Sequence, residues 1–269
     1  MMNDGLIDEV TGLMRQAAAE LILPRYLQLE THEIDTKTSP TDLVTIADRE
    51  AEEWLTPRLM EALPGSVVVG EEAASADPSV LDRLSGEPPV WLVDPVDGTA
   101  NFVEGKREFG VMVALVEGGL TRAGFIFAPV EDVMAIAVRG EGATLDGEAI
   151  HGRKSVPFSD AFGDYSSKYV KPPLRDHLSA AVLTSAGTSQ KHCSAYAYLD
   201  CARGEIDYVL QFLMSPWDHA AGGLMVEEAG GALRFLDDGA AYHPVPRAPR
   251  AALACGDAAM WQTYREAVT

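Results

Sequence analysis

The chain has 269 residues, 47% of them apolar, and 41 acidic against 21 basic side chains, for a net charge of −20. That length suits one unit of two lobes or one to two domains, and the charge argues against nucleic-acid backbones and anionic membranes as partners. No stretch approaches the ~20 apolar residues of a membrane span, and the acidic opening Met1-Met2-Asn3-Asp4-Gly5 lacks the basic and apolar regions of a signal peptide, so a cytoplasmic protein is expected.

In chain order, Leu6, Val10, Leu13, Met14, Ala17, Leu21 and Ile22 fall at helical spacing and predict a helix ending near Pro24. A second helix is expected to start at Thr41 or Asp42 and to be interrupted at Pro57. Residues 66–70 read as a short buried strand leading into Glu71-Glu72, and Val90-Trp91-Leu92-Val93 as another running into Asp94. Strands are expected at 109–117, 122–127 and 133–138, followed by a tight turn at Asp146-Gly147. Beyond that come a strand at 181–184, a helix from Thr188 to Ala202, a strand at 206–210 and a helix from Asp218 to Ala229. Gly230-Gly231 caps that helix, and strands at 232–236 and 251–254 close the pattern. Alternating helices and strands predict a mixed α-β layered architecture, divided into lobes of residues 1–150 and 151–269. Cys193, Cys201 and Cys255 lack C-x-x-C spacing and read as buried free thiols.

Four acidic clusters sit at strand ends or helix starts: Asp42 to Asp48, Glu71-Glu72, Asp94 with Asp97, and Asp218 after Trp217. In Asp94-Pro95-Val96-Asp97-Gly98-Thr99 the proline is expected to end the strand, letting both aspartates converge across the turn. Gly98 and Thr99 then begin a helix whose free N–H groups suit an anion. Hard divalent cations take oxygen ligands, and a pair of them ~4 Å apart can hold the attacking and leaving oxygens of a phosphoryl transfer. A small anionic substrate also needs such cations to offset the acidic surface. Asp-x-x-Asp-Gly is equally a common turn composition, and spacing alone leaves both readings open. Valine at position 96 excludes an EF-hand, and no G-x-S-x-G elbow or Walker A motif is present.

Taken together, Asp42-Leu43-Val44-Thr45-Ile46-Ala47-Asp48, Gly70-Glu71-Glu72, Trp91 through Phe102, and Trp217-Asp218-His219-Ala220-Ala221-Gly222 on to Gly231 resemble the inositol monophosphatase family of metal-dependent, lithium-sensitive phosphatases. The motifs occur in family order and span nearly the whole chain. The resemblance implies a layered α-β-α-β-α sandwich of the inositol monophosphatase and fructose-1,6-bisphosphatase type, usually a homodimer, with two to three Mg2+ per subunit. It puts Glu71, Asp94 and the Val96 carbonyl on one metal, and Asp94, Asp97 and Asp218 on a second. Gly98 and Thr99 correspond to phosphate-contacting positions. Asp48 with Thr99, assisted by Glu71, corresponds to the groups that orient and activate the attacking water. The implied function is hydrolysis of a small phosphorylated alcohol, inositol monophosphate first, by metal-activated water attack.

On the alcohol side, Gly187-Thr188-Ser189 resembles a segment near the substrate hydroxyls, and the resemblance places Asp97 there as well. Gln211 falls where inositol-specific members commonly carry a glutamate. It can still accept a hydrogen bond, but it loses the charge and gains a donor; a different loop length would leave it on a surface instead. That departure keeps 3′-phosphoadenosine 5′-phosphate, fructose 1,6-bisphosphate and histidinol phosphate open as substrates, and a regulatory binding protein as an alternative class. His219 reads as a helix-surface residue, while His192 reads equally as a cavity residue or a structural one. Lys37 and Ser166-Ser167 are candidates for loops near the substrate, with solvated or turn roles as the alternatives. Lys168, Lys171, Arg175 and Lys191 are the basic residues the 160–212 region would offer to a nucleotide.

Overall fold

Period-two alternation in the strands and period-3.6 spacing in the helices divide the buried side chains among three layers of core. The computed structural model describes residues 2–37, 43–154, 156–167, 170–244 and 250–269. Helix α1 (Asp4–Ala17) is capped by Asn3, whose Oδ1 accepts the Leu6 N–H at 2.9 Å, and it buries Leu6, Val10, Met14 and Ala17. Strands β1 (Ile34–Thr36) and β2 (Leu43–Thr45) form an antiparallel pair. They lead into α2 (Ile46–Ala62), β3 (Val67–Gly70) and α3 (Glu71–Ala76). Next come β4 (Val90–Asp97), α4 (Thr99–Val103), β5 (Gly110–Glu117), β6 (Leu120–Ala128) and β7 (Val133–Val138). The hairpin of β8 (Gly142–Leu145) and β9 (Glu148–Ala149) turns at Asp146-Gly147, both with positive φ. The second half holds β10 (Phe162–Tyr165), α5 (Leu174–Val182), β11 (Gly187–Ser189), α6 (Ser194–Ala202), β12 (Tyr208–Gln211) and α7 (Pro216–Glu228). Strands β13 (Ala232–Phe235) and β14 (Ala252–Cys255) and helix α8 (Trp261–Val268) complete the chain.

Strands β3 to β9 form a seven-stranded sheet in sequence order, and a five-stranded sheet runs β11-β10-β12-β14-β13. Trp91, Val93, Val111, Val113 and Phe125 face α1 and α2, while their neighbours Leu92, Met112, Ala114 and Ile126 face α6 and α7. Across α6 and α7 the second sheet repeats the device: Val209, Leu233 and Ala254 point inward, and Tyr208, Leu210 and Leu253 point out to α5 and α8. The layers are therefore α-β-α-β-α, as expected from the resemblance. Among the described residues no helix is long and apolar enough to cross a membrane.

Four local expectations are corrected. Thr41 and Asp42 lie outside the described residues, but residues 43–45 are strand, and α2 starts only at Ile46. There Thr45 and Asp48 form a capping box. Pro57 does not interrupt α2, because it and Glu53, whose carbonyl loses its partner, are both exposed, while Leu55 and Leu59 anchor the helix in the core. The run at 181–184 is no strand: Ala181 and Val182 end helix α5, where Leu178 and Val182 bury one face four residues apart, and residues 183 and 184 turn out of it. Residues 187–189 are a strand paired with β10, and helix α6 is delayed to Ser194 because His192 takes a left-handed φ of 54°.

Asp207, whose side chain is fully buried, ties together three separate segments of the second half of the chain. It accepts the Arg153 Nε–H at 2.6 Å, a second guanidinium hydrogen bond, and the Phe162 N–H at 2.8 Å. Asp207→Ala leaves that N–H unpaired, although Arg153, 42% exposed, can turn to water. We expect a loss of about 2–3 kcal/mol, read from the midpoint of chemical denaturation; an unchanged midpoint would show the pair to be incidental.

Candidate active site

The proline of the Asp94–Thr99 stretch does not end its strand. β4 runs on to Asp97 with one extra residue against β5, where Asp94 pairs with Met112 and Asp97 with Gly110. This bulge is the local device that re-aims the two aspartates, and the Asp94 Oδ1 accepts the Val96 N–H at 3.1 Å across it. Gly98 follows with φ of 87°, and a Cβ there would lie 3.0 Å from the Glu108 carbonyl oxygen and 3.1 Å from the Cys193 Cβ. Only glycine fits that turn into α4.

Glu71 at the start of α3, Asp94 on β4 and Asp218 in the first turn of α7 each present a carboxylate oxygen, and these lie within 4.8 Å of one another. Asp97 is turned differently. Its Oδ2 accepts the Ala195 N–H at 2.6 Å and the Cys193 thiol at 2.9 Å, so it caps α6 from another layer of the fold. Burial, with Glu71, Asp97 and Asp218 nearby, raises the Asp94 carboxyl well above the usual range. Asp97 is pushed up to about 6, chiefly by burial against the pull of the Cys193, Ala195 and Ser194 donors. Lys37 answers part of this charge, contacting Glu72 and lying 2.8 Å from Glu71 Oε1. Burial alone would depress its ammonium, but the two glutamates outweigh that and raise it. Converging, partly neutralised carboxylates with only oxygen donors fit a hard divalent cation.

Behind this group, Asp48 is held by the Thr45 N–H at 2.8 Å and the Thr45 hydroxyl at 2.5 Å, while the Thr99 hydroxyl lies 3.1 Å from its other oxygen. Burial lifts the Asp48 carboxyl to about 7. The Thr99 hydroxyl also lies 3.0 Å from the Val96 carbonyl oxygen, so one proton has two acceptors.

A cavity of about 470 Å³ opens over these residues. Glu71, Asp94, Val96, Asp97, Gly98, Thr99 and Asp218 line its floor, and Gln211 stands in its wall. Gly187, Thr188 and Ser189 are not among the lining residues; they lie on β11, and the Ser189 hydroxyl donates to Asp164 Oδ2 at 3.0 Å. Asp42 and Lys168 fall outside the described residues. His192 and Ser166 line the cavity, whereas His219, expected on a helix surface, is 1% exposed and lines it from within. Three contributors escaped the sequence reading. Glu52 accepts the Glu72 and Ala73 N–H groups at 2.8 Å each and orients α3; its position one turn after Asp48 on α2 was the available signal. Asp164 and Cys193 carried no local signal, since each is aimed by contacts between distant segments.

Residues 4–265 match the model of the inositol monophosphatase family. The chain is 31% identical over 241 residues to the inositol-1-monophosphatase of Bacillus subtilis, covering 88% of each chain. It is 29% identical over 204 residues to the fructose-1,6-bisphosphatase/inositol-1-monophosphatase of Thermotoga maritima, covering 74% of this chain and 73% of that one. A solved IMPase of Thermotoga maritima superposes with a TM-score of 0.81 over 99% of this chain and 97% of its own, at 22% identity, which speaks for the fold. A converging carboxylate floor under a substrate-sized cavity, on this fold and with this sequence likeness, makes the chain a phosphatase belonging to the inositol monophosphatase family.

Proposed function

We propose that the chain is a Mg2+-dependent phosphomonoesterase that cleaves the phosphate ester of a small alcohol, inositol monophosphate first. The observation that carries this reading is the convergence of Glu71, Asp94 and Asp218 from three separate elements. Glu71, Asp94, the Val96 carbonyl, Asp97 and Asp218 would hold the cations, with the phosphate against the Gly98–Thr99 backbone. Magnesium there offsets the carboxylate charge, steadies charge growing on the phosphate and alcohol oxygens, and makes a nearby water more acidic. The Thr99 hydroxyl would donate to Asp48 Oδ1, 3.1 Å away, in place of the Val96 carbonyl. The Thr99 oxygen is then free to orient an attacking water, and Asp48, lifted to about 7, is placed to receive its proton. On this reading the lobe of residues 1–150 supplies most of the reaction centre, and residues 151–269 supply Asp218 and the alcohol side. Thr99→Val should lower kcat by about 10²-fold with little change in the melting temperature; a kcat within about threefold of wild type would remove Thr99 from the reaction.

A second substrate reading is favoured by Asp164. Gln211 has lost the charge of a glutamate, yet Asp164 places a carboxylate in the same cavity, so the alcohol side retains an anion that suits an amino-alcohol. Phosphate release from inositol 1-phosphate, histidinol phosphate, fructose 1,6-bisphosphate and 3′-phosphoadenosine 5′-phosphate separates these readings. The assay is run with Mg2+, with a chelator and with added Li+. Hydrolysis undiminished by the chelator would sink the metal-dependent proposal.

A further inference from the structure

His219 follows Asp218 in the first turn of α7, and both its ring nitrogens are engaged. Nε2 lies 2.7 Å from the Leu213 carbonyl oxygen, and Nδ1 lies 2.9 Å from the Tyr198 hydroxyl. A carbonyl can only accept, so Nε2 carries a proton and donates it to Leu213, while Nδ1 pairs with the Tyr198 hydroxyl. Both nitrogens are thus occupied by groups of the protein, and neither is open to a substrate. The imidazole is a strut rather than an acid or base. The strut joins α6 through Tyr198, α7 through its own backbone, and the β12–α7 connection through Leu213. It is seated edge-on against Tyr198 and Tyr242, at centroid distances of 5.8 and 6.4 Å.

The connection it holds forms one wall of the cavity. Gln211, Phe212 and Leu213 all line it, and the pairing of β12 with β14 ends at Gln211. Beyond that residue the wall has no ladder to stiffen it, and the bond from His219 anchors the Leu213 carbonyl. The backbone of Asp218 has its own anchor at the helix start, its N–H donating to the Ser215 carbonyl at 3.2 Å. We propose that His219 is a positioning residue for the alcohol side, fixing the Gln211–Leu213 wall through Leu213 and so setting selectivity among alcohols rather than the rate at phosphorus. The inference rests on the phosphomonoesterase reading.

Two esters test it: inositol 1-phosphate, whose alcohol carries hydroxyls for the wall to read, and phenyl phosphate, whose alcohol carries none. His219→Leu should raise KM for inositol 1-phosphate about tenfold, keep its kcat within about threefold, and move both constants for phenyl phosphate by less than about twofold. His219→Gln retains an N–H that reaches Leu213 and should bring KM back to within about threefold of wild type. Tyr198→Phe, a milder cut that keeps the test open if His219→Leu folds poorly, should raise the same KM about two- to threefold. Tyr242 is the control: its ring touches His219, but its buried hydroxyl has no hydrogen-bond partner among the described residues, so Tyr242→Phe should change nothing. Parallel losses on both esters, or an unchanged inositol 1-phosphate KM in both His219→Leu and Tyr198→Phe, would overturn the positioning role alone. A wild-type chain that cleaves neither ester would overturn the phosphatase reading and this inference with it.

Discussion

Asp94→Asn should lower hydrolysis by about three orders of magnitude while making the cation-free chain more resistant to heat. The two effects share one cause. Asp94 is buried among Glu71, Asp97 and Asp218, and all of them disfavour its ionised form. A neutral amide keeps the shape and can still accept the Val96 N–H, which Asp94 Oδ1 accepts at 3.1 Å. It relieves the repulsion but deprives a cation of its central ligand. Each kcal/mol of relief should raise the melting temperature of the cation-free chain by about 2–4 °C. Magnesium should stabilise the wild type and not the variant, as binding to the native state alone requires. Thermal melts with and without Mg2+, run beside a phosphate-release assay, check both halves. Near-normal turnover by Asp94→Asn would remove this residue from the centre of the site.

Asp97→Asn should also cost orders of magnitude in rate, by a different route. Both oxygens of the carboxylate are needed, because Oδ2 is already committed to the Ala195 N–H and the Cys193 thiol. An asparagine has one oxygen. If that oxygen keeps the cap of α6, the amide N–H2 turns toward the cation side and opposes a positive charge. If it turns the other way, α6 loses its cap. Asp97→Ala should therefore cost about 1–2 kcal/mol of stability in addition to activity, while Asp97→Asn costs activity and little stability. Denaturation midpoints for the two variants, set beside their turnover, distinguish the cap from the ligand. Equal stability losses in both would mean that the carboxylate serves mainly to hold α6.

Strands β3 to β7 were legible because their apolar runs are short, are bounded by turn residues, and in β5 and β6 have side chains that alternate between two helical layers. The errors fell where tertiary contacts outweigh local pattern. Residues 188–202 read as one helix, but pairing with β10 and the left-handed His192 split them into the end of a strand and a later helix. Pro57 looked like a break, yet the carbonyl it deprives belongs to exposed Glu53, and Leu55 and Leu59 hold the helix in the core. His219 looked like a surface residue because nothing in the sequence shows that α7 is covered by a sheet on each side.

For the stretch from Asp94 to Thr99, the sequence by itself determined the residue types: oxygen donors, a glycine for the left-handed turn, and a hydroxyl at the helix start. It also determined the family, because four motifs in one order are a property of the chain alone. Only the tertiary structure decided how those groups are used. It joined Asp94 to Glu71 and Asp218 within 4.8 Å, turned one oxygen of Asp97 to the start of α6, and set Asp164 and His219 in the lining of the same cavity. The physical reason is range: caps, turns and periodicity act over a few residues, whereas a composite site is made by packing between segments from tens to more than a hundred residues apart.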